Sequence, residues 1–420
     1  MTERPFKRIS IIGLGYIGLP TAAMFASYGV EVIGVDVNQN TVDIINKGQV
    51  HIVEPDLDAI VRTTVADGYL RATTEPERAE AFLIAVPTPF KEDNHEPDLS
   101  YIEAASLSIA PVLEPGNLVI LESTSPVGAT EAMTNWLAEA RPDLSFPQTA
   151  SDASDIRIAH CPERVLPGKV MQELITNDRV IGGLTPSCSA RASELYKTFV
   201  TGECVIATGS RVAEMAKLTE NSFRDLNIAF ANELSIICDQ LDMNVWELIA
   251  LANRHPRVSI LQPGPGVGGH CIAVDPWFIV ASAPEKSRLI RTARQVNDSK
   301  PNWVLEKIHA AIGSHLTQHP DATAKDVTVA IYGLTFKPDI DDLRESPALA
   351  IAKRIAVQHP GPLLIIEPNI EKLPIGFEKA LMSDESNVSA DVHVMLVDHQ
   401  SFRGLARPEG CIVDTRGIWN

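Results

Sequence analysis

Short apolar runs alternate with amphipathic stretches through the first 200 residues. The runs Ile9–Ile12, Glu31–Val35, Phe82–Val86, Leu118–Glu122, Ile156–Cys161 and Val180–Gly182 predict strands, with helices at Leu19–Ser27 and Tyr101–Val112. Strands this apolar, separated by helical periodicity, belong to a parallel sheet covered on both faces. After Ser210 the period changes. Val212–Leu241 holds no Pro or Gly, and Met215, Leu218, Phe223, Leu226, Phe230, Leu234 and Ile237 recur at helical spacing, predicting one helix of about 30 residues. More helix is predicted at Val245–Asn253 and Ser287–Gly313. Beyond a polar stretch near His319–Asp326 the alternation returns, with strands at Val327–Tyr332, Leu363–Glu367, Val392–Val397 and Cys411–Asp414 and a helix at Ser346–Val357. The expected fold class is α/β. An N-terminal doubly wound domain spans 1–210, a central long-helix domain 211–318 and a smaller α/β domain 319–420. No sequence repeat is evident between the two α/β parts.

Composition narrows the function classes. With 420 residues, 45% apolar and 21% charged, the chain can bury large cores, which excludes a disordered or disulfide-scaffold protein. A formal charge of -18 argues against nucleic acid or a membrane surface as partner, so an anionic substrate would need a local basic pocket. Cys161, Cys188, Cys204, Cys238, Cys271 and Cys411 show no Cys-x-x-Cys spacing and read as reduced thiols. No signal-peptide pattern opens the sequence, and no apolar run reaches the roughly 18 residues needed to span a bilayer. The expectation is a cytoplasmic protein with no membrane insertion and no metal.

The first chemical motif is IIGLGYIGL. Gly13, Gly15 and Gly18, with Tyr16 and Ile17 between them, follow a strand and open a helix, and Asp36 ends the next strand eighteen residues after Gly18. Glycines there let backbone approach a pyrophosphate, and the carboxylate accepts the adenosine ribose hydroxyls, which makes the domain Rossmann-like. Asp36 has no Arg beside it, so NAD is favoured over NADP. The strand ends VPTP and ESTSPVG make Thr88, Ser123 and Thr124 candidates for the nicotinamide side, turn chemistry being the alternative.

PGPGVGGHCIAVDP carries the second. Cys271 follows four glycines and two prolines, and Asp275 lies four residues on. Such a loop lets backbone close on a ligand, and a thiol in a helix's first turn is favoured as thiolate. Lys217, Asn221 and Arg224 share one face of the long helix, either lining a cleft or facing solvent. A cysteine with NAD points to aldehyde oxidation through a thioester, with lysine as proton acceptor or oxyanion donor. Finally, IYGLTFKPDIDDLRESPA sets Lys337 and Arg344 ahead of a helix, either to hold a diphosphate or as a salt-bridged loop.

In combination, GPGVGGHC with its downstream Asp, KLTEN and FKP…D…RES resemble the UDP-glucose/GDP-mannose dehydrogenase family, from about Ile9 to Trp419. The resemblance implies an NAD-dependent four-electron enzyme oxidising C6 of a nucleotide sugar to a carboxylate, and a Rossmann-like C-terminal domain binding the UDP-sugar. It makes Cys271 the nucleophile and Lys217 the general acid/base. Asn221 and Asp275 become polar helpers, and Glu163 in CPERVLPG assists proton transfer, the water-activating role staying open between Asp275 and Glu163. Arg164 and Val165 replace the Phe-Leu of glucose enzymes, which argues against UDP-glucose and sets Arg164 against the substrate. His255 and Arg257 would reach the sugar, with Arg224 and Gly268 also at the substrate. Phe336 and Lys337 match the uridine-diphosphate loop, Arg344 an Arg that meets NAD, and Arg416 a basic position. The implied substrate is a UDP-N-acetylhexosamine, with UDP-N-acetyl-D-mannosamine placed first and UDP-N-acetylglucosamine or UDP-glucose as alternatives. A two-electron hydroxyacid dehydrogenase is the alternative of another class. The resemblance also implies a homodimer through the long helix and a role in surface polysaccharide synthesis.

Overall fold

Eight strands form the first sheet of the computed structural model, which describes residues 5–91, 95–166, 168–385 and 388–419. They are β1 (Arg8–Ile12), β2 (Glu31–Val35), β3 (Leu70–Thr73), β4 (Ala81–Ile84), β5 (Leu118–Leu121), β6 (Arg157–His160), β7 (Arg179–Gly183) and β8 (Cys204–Ile206), in the order β3-β2-β1-β4-β5-β6-β7-β8. Alternate residues of β5 feed opposite cores: Leu118 and Ile120 pack with Ile9, Ile11 and Phe25, while Val119 and Leu121 pack with Phe82, Ile84 and Met133. That two-residue period explains why the central strands are apolar throughout, each buried side chain contributing about 1.5–3 kcal/mol. The order reverses between β1 and β4, the switch point at which ligands bind doubly wound sheets.

Two strands, β7 and β8, depart from the expected all-parallel sheet, since β8 pairs parallel with β7. β7 runs antiparallel to β6, pairing Ala159 with Gly183 and His160 with Gly182. The connection from Cys161 to Asp178 holds one seven-residue helix, Val170–Thr176, and the strand re-enters from the carboxyl edge. Arg179 is thereby brought to the end of the sheet where β5 and β6 finish.

The second sheet contains β9 (Val329–Tyr332), β10 (Leu363–Ile366), β11 (Ala380–Met382), β12 (Val392–Met395) and β13 (Cys411–Asp414), all parallel, in the order β11-β10-β9-β12-β13. Val304, Ile308, Ile351 and Ile355 of the helices Arg288–Gln318 and Pro347–Gln358 cover one face, and Tyr332, Met395, Phe402 and Trp419 pack on the other. By compactness the chain divides into Met1–Glu220 with Trp277–Ala283, and Asn221–Pro276 with Pro284–Asn420. The long helix runs Ser210–Gln240, and five of its large apolar residues stay exposed: Val212 52%, Met215 40%, Phe223 68%, Phe230 47% and Ile237 44%.

Candidate active site

In the first unit, the three glycines of the β1 turn have different physical reasons. Gly13 takes a φ of 93°, and a Cβ on it would lie 2.5 Å from the Ala85 carbonyl oxygen. A Cβ on Gly18 would strike the Gly13 carbonyl oxygen. A Cβ on Gly15 would meet nothing within 4 Å, so no neighbour in the chain requires glycine there. The space Gly15 keeps open suits a pyrophosphate approaching the Gly18–Ser27 helix. Asp36 accepts the Leu14 and Asn38 amides at 3.0 and 2.9 Å and stays half-exposed, with lone pairs left for ribose hydroxyls. These residues fit a dinucleotide. Tyr16 is 39% exposed beside the turn, with Ile17 half-buried.

The β4 and β5 ends are tied together by Ser123, whose hydroxyl donates to the Val86 carbonyl at 2.8 Å. Thr88 is buried with no partner for its hydroxyl among the described residues, and Thr124 is half-buried. Glu214 of the long helix accepts the Gly128 and Thr130 amides at 2.7 and 2.8 Å, which anchors this loop.

Glu163 is 6% exposed and bound to Arg179 at 2.5 Å, and it accepts the Arg164 amide at 2.7 Å. The Arg164 guanidinium pairs with Glu220 at 2.7 Å, while Val165 packs on the main core. Behind Glu163 lie Glu122, Arg179, Tyr196 and Cys161, all buried. Burial, with the charge of Glu163 alongside, pushes Glu122 up to about 8, and burial pushes the Cys161 thiol up to about 12. Lys217 is half-buried on the long helix.

In the second unit, Cys271 is exposed in the first turn of the helix His270–Ser282, and no disulfide joins any of the six cysteines. Asp275, one helical turn on and 4% exposed, accepts from the Asn221 amide group at 2.5 Å. Asn232 fixes the preceding loop by accepting the Gly264 amide at 2.9 Å, and a ladder through Asn297, Asp225 and Arg294 braces it. The loop's glycines serve packing more than ligand access. A Cβ on Gly268 would lie 2.6 Å from the Glu345 carbonyl oxygen and 2.8 Å from Phe336 Cβ, and one on Gly269 would lie 2.8 Å from the Phe336 ring. Close packing of this loop on the 336–347 loop is thus a reason for glycine that sequence reading did not supply.

The remaining candidates are scattered. Arg344 pairs with Asp342 at 2.6 Å, Arg416 bonds Asp398 through Nε at 2.7 Å, and Lys337 is half-buried. His255 and Arg257 are exposed on the loop after Ala252, and Arg224 is exposed on the long helix rather than sharing the buried setting of Asn221. Sequence reading missed Glu122, Arg179, Tyr196 and Glu214. An acid or guanidinium inside an apolar strand or helix was the available signal. Among the described residues no group of three or more His, Cys, Asp or Glu is placed to hold a metal ion, and no helix is long and apolar enough to cross a membrane.

Comparisons with known proteins bear on this geometry. The chain matches three profiles of the UDP-glucose/GDP-mannose dehydrogenase family: the NAD binding domain over 7–200, the central domain over 211–299 and the UDP binding domain over 330–420. It is 64% identical over 421 residues to the UDP-N-acetyl-D-mannosamine dehydrogenase of Yersinia pestis, covering 99% of each chain. It is 60% identical over 423 residues to the NDP-N-acetyl-D-galactosaminuronic acid dehydrogenase of Ralstonia solanacearum, covering 100% of this chain and 97% of that one. The solved structure of the UDP-D-ManNAc dehydrogenase from Pyrococcus horikoshii superposes with a TM-score of 0.85 at 36% identity, over 98% of this chain and 96% of that one.

Proposed function

The chain belongs to the UDP-glucose/GDP-mannose dehydrogenase family, and from that premise we propose that it is an NAD-dependent four-electron dehydrogenase that converts C6 of UDP-N-acetyl-D-mannosamine to a carboxylate for surface polysaccharide synthesis. The observation that carries the chemistry is the exposed Cys271 thiol in a helix's first turn, one turn from the buried Asp275–Asn221 pair.

NAD, when bound, supplies the hydride acceptor for each of the two oxidations. Gly13, Gly15, Gly18 and Asp36 hold it, Thr88, Ser123 and Thr124 line its nicotinamide end, and Arg344 meets it. Lys217 takes the proton of the C6 hydroxyl during the first oxidation. The Cys271 thiolate then adds to the aldehyde carbon, and the C–S bond keeps the intermediate on the enzyme. Lys217 and Asn221 donate to the oxygen that gains charge. After the second oxidation leaves a thioester, Glu163 or Asp275 takes a proton from water as it adds to the carbonyl, and the thiolate leaves with the C–S bond. Phe336, Lys337, Gly268 and Arg416 hold the diphosphate end. Arg164, Val165, Arg224, His255 and Arg257 select the sugar, Arg164 through N–H groups not taken by Glu220. The span 1–210 serves NAD, 211–318 supplies the Cys loop and 319–420 the UDP-sugar. The exposed row of Met215, Phe223, Phe230 and Ile237 supports a homodimer through the long helix, and six unbridged thiols fit the cytoplasm.

The test is NADH formed per sugar consumed, with UDP-N-acetyl-D-mannosamine, UDP-N-acetylglucosamine, UDP-N-acetylgalactosamine and UDP-glucose in parallel. Two NADH with the mannosamine sugar alone is expected; two with another sugar overturns the substrate, and one with any sugar overturns the cysteine route. Replacing Cys271→Ser should lower acid formation on the order of a thousandfold or more while NAD still binds in titration.

A further inference from the structure

Glu122, Glu163 and Arg179 stand 1%, 6% and 2% exposed at the carboxyl edge of the first sheet. Two ionised carboxylates with one guanidinium would leave a net negative charge out of reach of water, so one carboxyl keeps its proton. The distances say which. Arg179 Nη1 lies 2.5 Å from Glu163 and 4.0 Å from Glu122. Glu163 also accepts the Arg164 amide, whereas Glu122 Oε1 accepts the Tyr196 hydroxyl at 3.0 Å and its Oε2 has no partner among the described residues.

We propose that Glu122 is a positioning residue for Glu163: by staying protonated it leaves Arg179 to Glu163 alone and holds that carboxylate ionised and aimed at the water that cleaves the thioester. The proposal rests on the role given to Glu163 above. Among the described residues, the groups that face Glu122 are Glu163, Arg179, Tyr196 and the neutral Cys161 thiol, with Arg179 the one cation. Burial and the Glu163 charge push Glu122 up to about 8, which places loss of its proton just above neutrality. Once ionised, Glu122 competes for Arg179 and the grip on Glu163 loosens.

Glu122→Gln tests this, because glutamine keeps the shape and cannot ionise. The ratio of kcat for acid formation at about pH 9 to that at about pH 7 is expected to rise about tenfold over wild type, the change that removing one titration near 8 predicts. Equal ratios would overturn the proposal. Stability gives a reading independent of turnover. Between 4.5 and about 8 native Glu122 holds a proton that the unfolded chain has lost, so wild-type stability falls with rising pH across that window and E122Q should lack this fall. Infrared spectra at neutral pH should show a protonated-carboxyl band in wild type that E122Q lacks; a wild type without such a band sinks the idea. E163Q separates the two readings. Full acid formation by E163Q removes the role of Glu163, whereas its loss together with an unmoved E122Q profile removes only the role of Glu122.

Discussion

At the β1–β2 edge the Gly13 amide donates to the Val35 carbonyl at 2.8 Å, and Asp36 accepts the Leu14 and Asn38 amides at 3.0 and 2.9 Å. At the β9–β10 edge the Gly333 amide donates to the Ile366 carbonyl at 2.8 Å, and Glu367 accepts the Leu334 and Asn369 amides at 2.7 and 3.0 Å. Gly13 and Gly333 have φ of 93° and 89°. The two turns are the same object, built from Gly-Leu after the first strand and acid-x-Asn after the second. They part at three places. Thr335 stands where Gly15 keeps space open, and Pro338 where Gly18 opens a helix. His399 Nε2 meets Glu367 Oε2 at 3.1 Å with both side chains buried, while Asp36 stays half-exposed. Although burial opposes its ionisation, the bond from His399 holds Glu367 below the ordinary carboxylate value. One carboxylate can take ribose hydroxyls; the other is sealed by histidine and is left as a brace for the 334–337 loop. The two edges therefore differ both in the cover over the acid and in the two glycines of the turn.

The glycines test this comparison most severely. A Cβ on Gly333 would lie 2.3 Å from Val397 Cβ, and Gly13 is blocked by Ala85, both at positive φ. Gly333→Ala and Gly13→Ala should each cost about 3 kcal/mol or more in denaturant unfolding. Gly15→Ala has open space and should stay within about 1 kcal/mol of wild type while KM for NAD rises about tenfold or more. If G15A unfolds as readily as G13A, the space at Gly15 belongs to the fold and not to the cofactor.

The acids come next. Glu367→Gln sets an amide donor against either the Leu334 amide with His399 or the Asn369 amide, a buried mismatch of about 2 kcal/mol seen in unfolding and in a raised KM for the UDP-sugar. Asp36→Asn, open to water, should cost about 1 kcal/mol or less in stability and raise KM for NAD instead. An exchange of these two phenotypes would break the distinction between a brace and a ligand contact.

How much of this was legible in the sequence follows from where each signal is generated. Strands buried on both faces announce themselves, so β2 and β13 lie where their apolar runs put them and β1, β4, β5 and β10 within two residues. β3, β8 and β11 escaped because they are sheet edges of only three or four residues, partly exposed, too short for their pattern to stand out. The direction of β7 escaped because direction is set by the connection, not by the strand. Gly13, Gly15, Gly18, Asp36 and Cys271 could be singled out as candidates because their signal lies in local spacing. The repeat of the β1–β2 turn at β9–β10 went unseen because four matching residues are divided between two distant segments. Glu122, Arg179 and Tyr196 went unseen because a buried charge has meaning only through partners that the fold supplies.

At any single pH step the gentlest contrast between the two units is the sign of a slope. Where the first unit buries Glu122 with its proton, the second buries Lys300, 1% exposed, its Nζ donating to the Ser235 hydroxyl and lying 3.8 Å from the Trp303 ring centroid. Burial pushes this ammonium from 10.5 down to about 7. Between those values the unfolded chain holds a proton that the native chain has released, so Lys300 makes stability rise with pH across that window, opposite in sign to Glu122 below 8. Lys300→Met keeps the stem and removes the titration. Denaturant unfolding at stepped pH should then lose this rise, at most about 1.4 kcal/mol per pH unit, the slope of one proton. A K300M profile parallel to wild type would mean that Lys300 keeps its proton over Trp303, held by the cation–π contact and the Ser235 hydroxyl against the cost of burial.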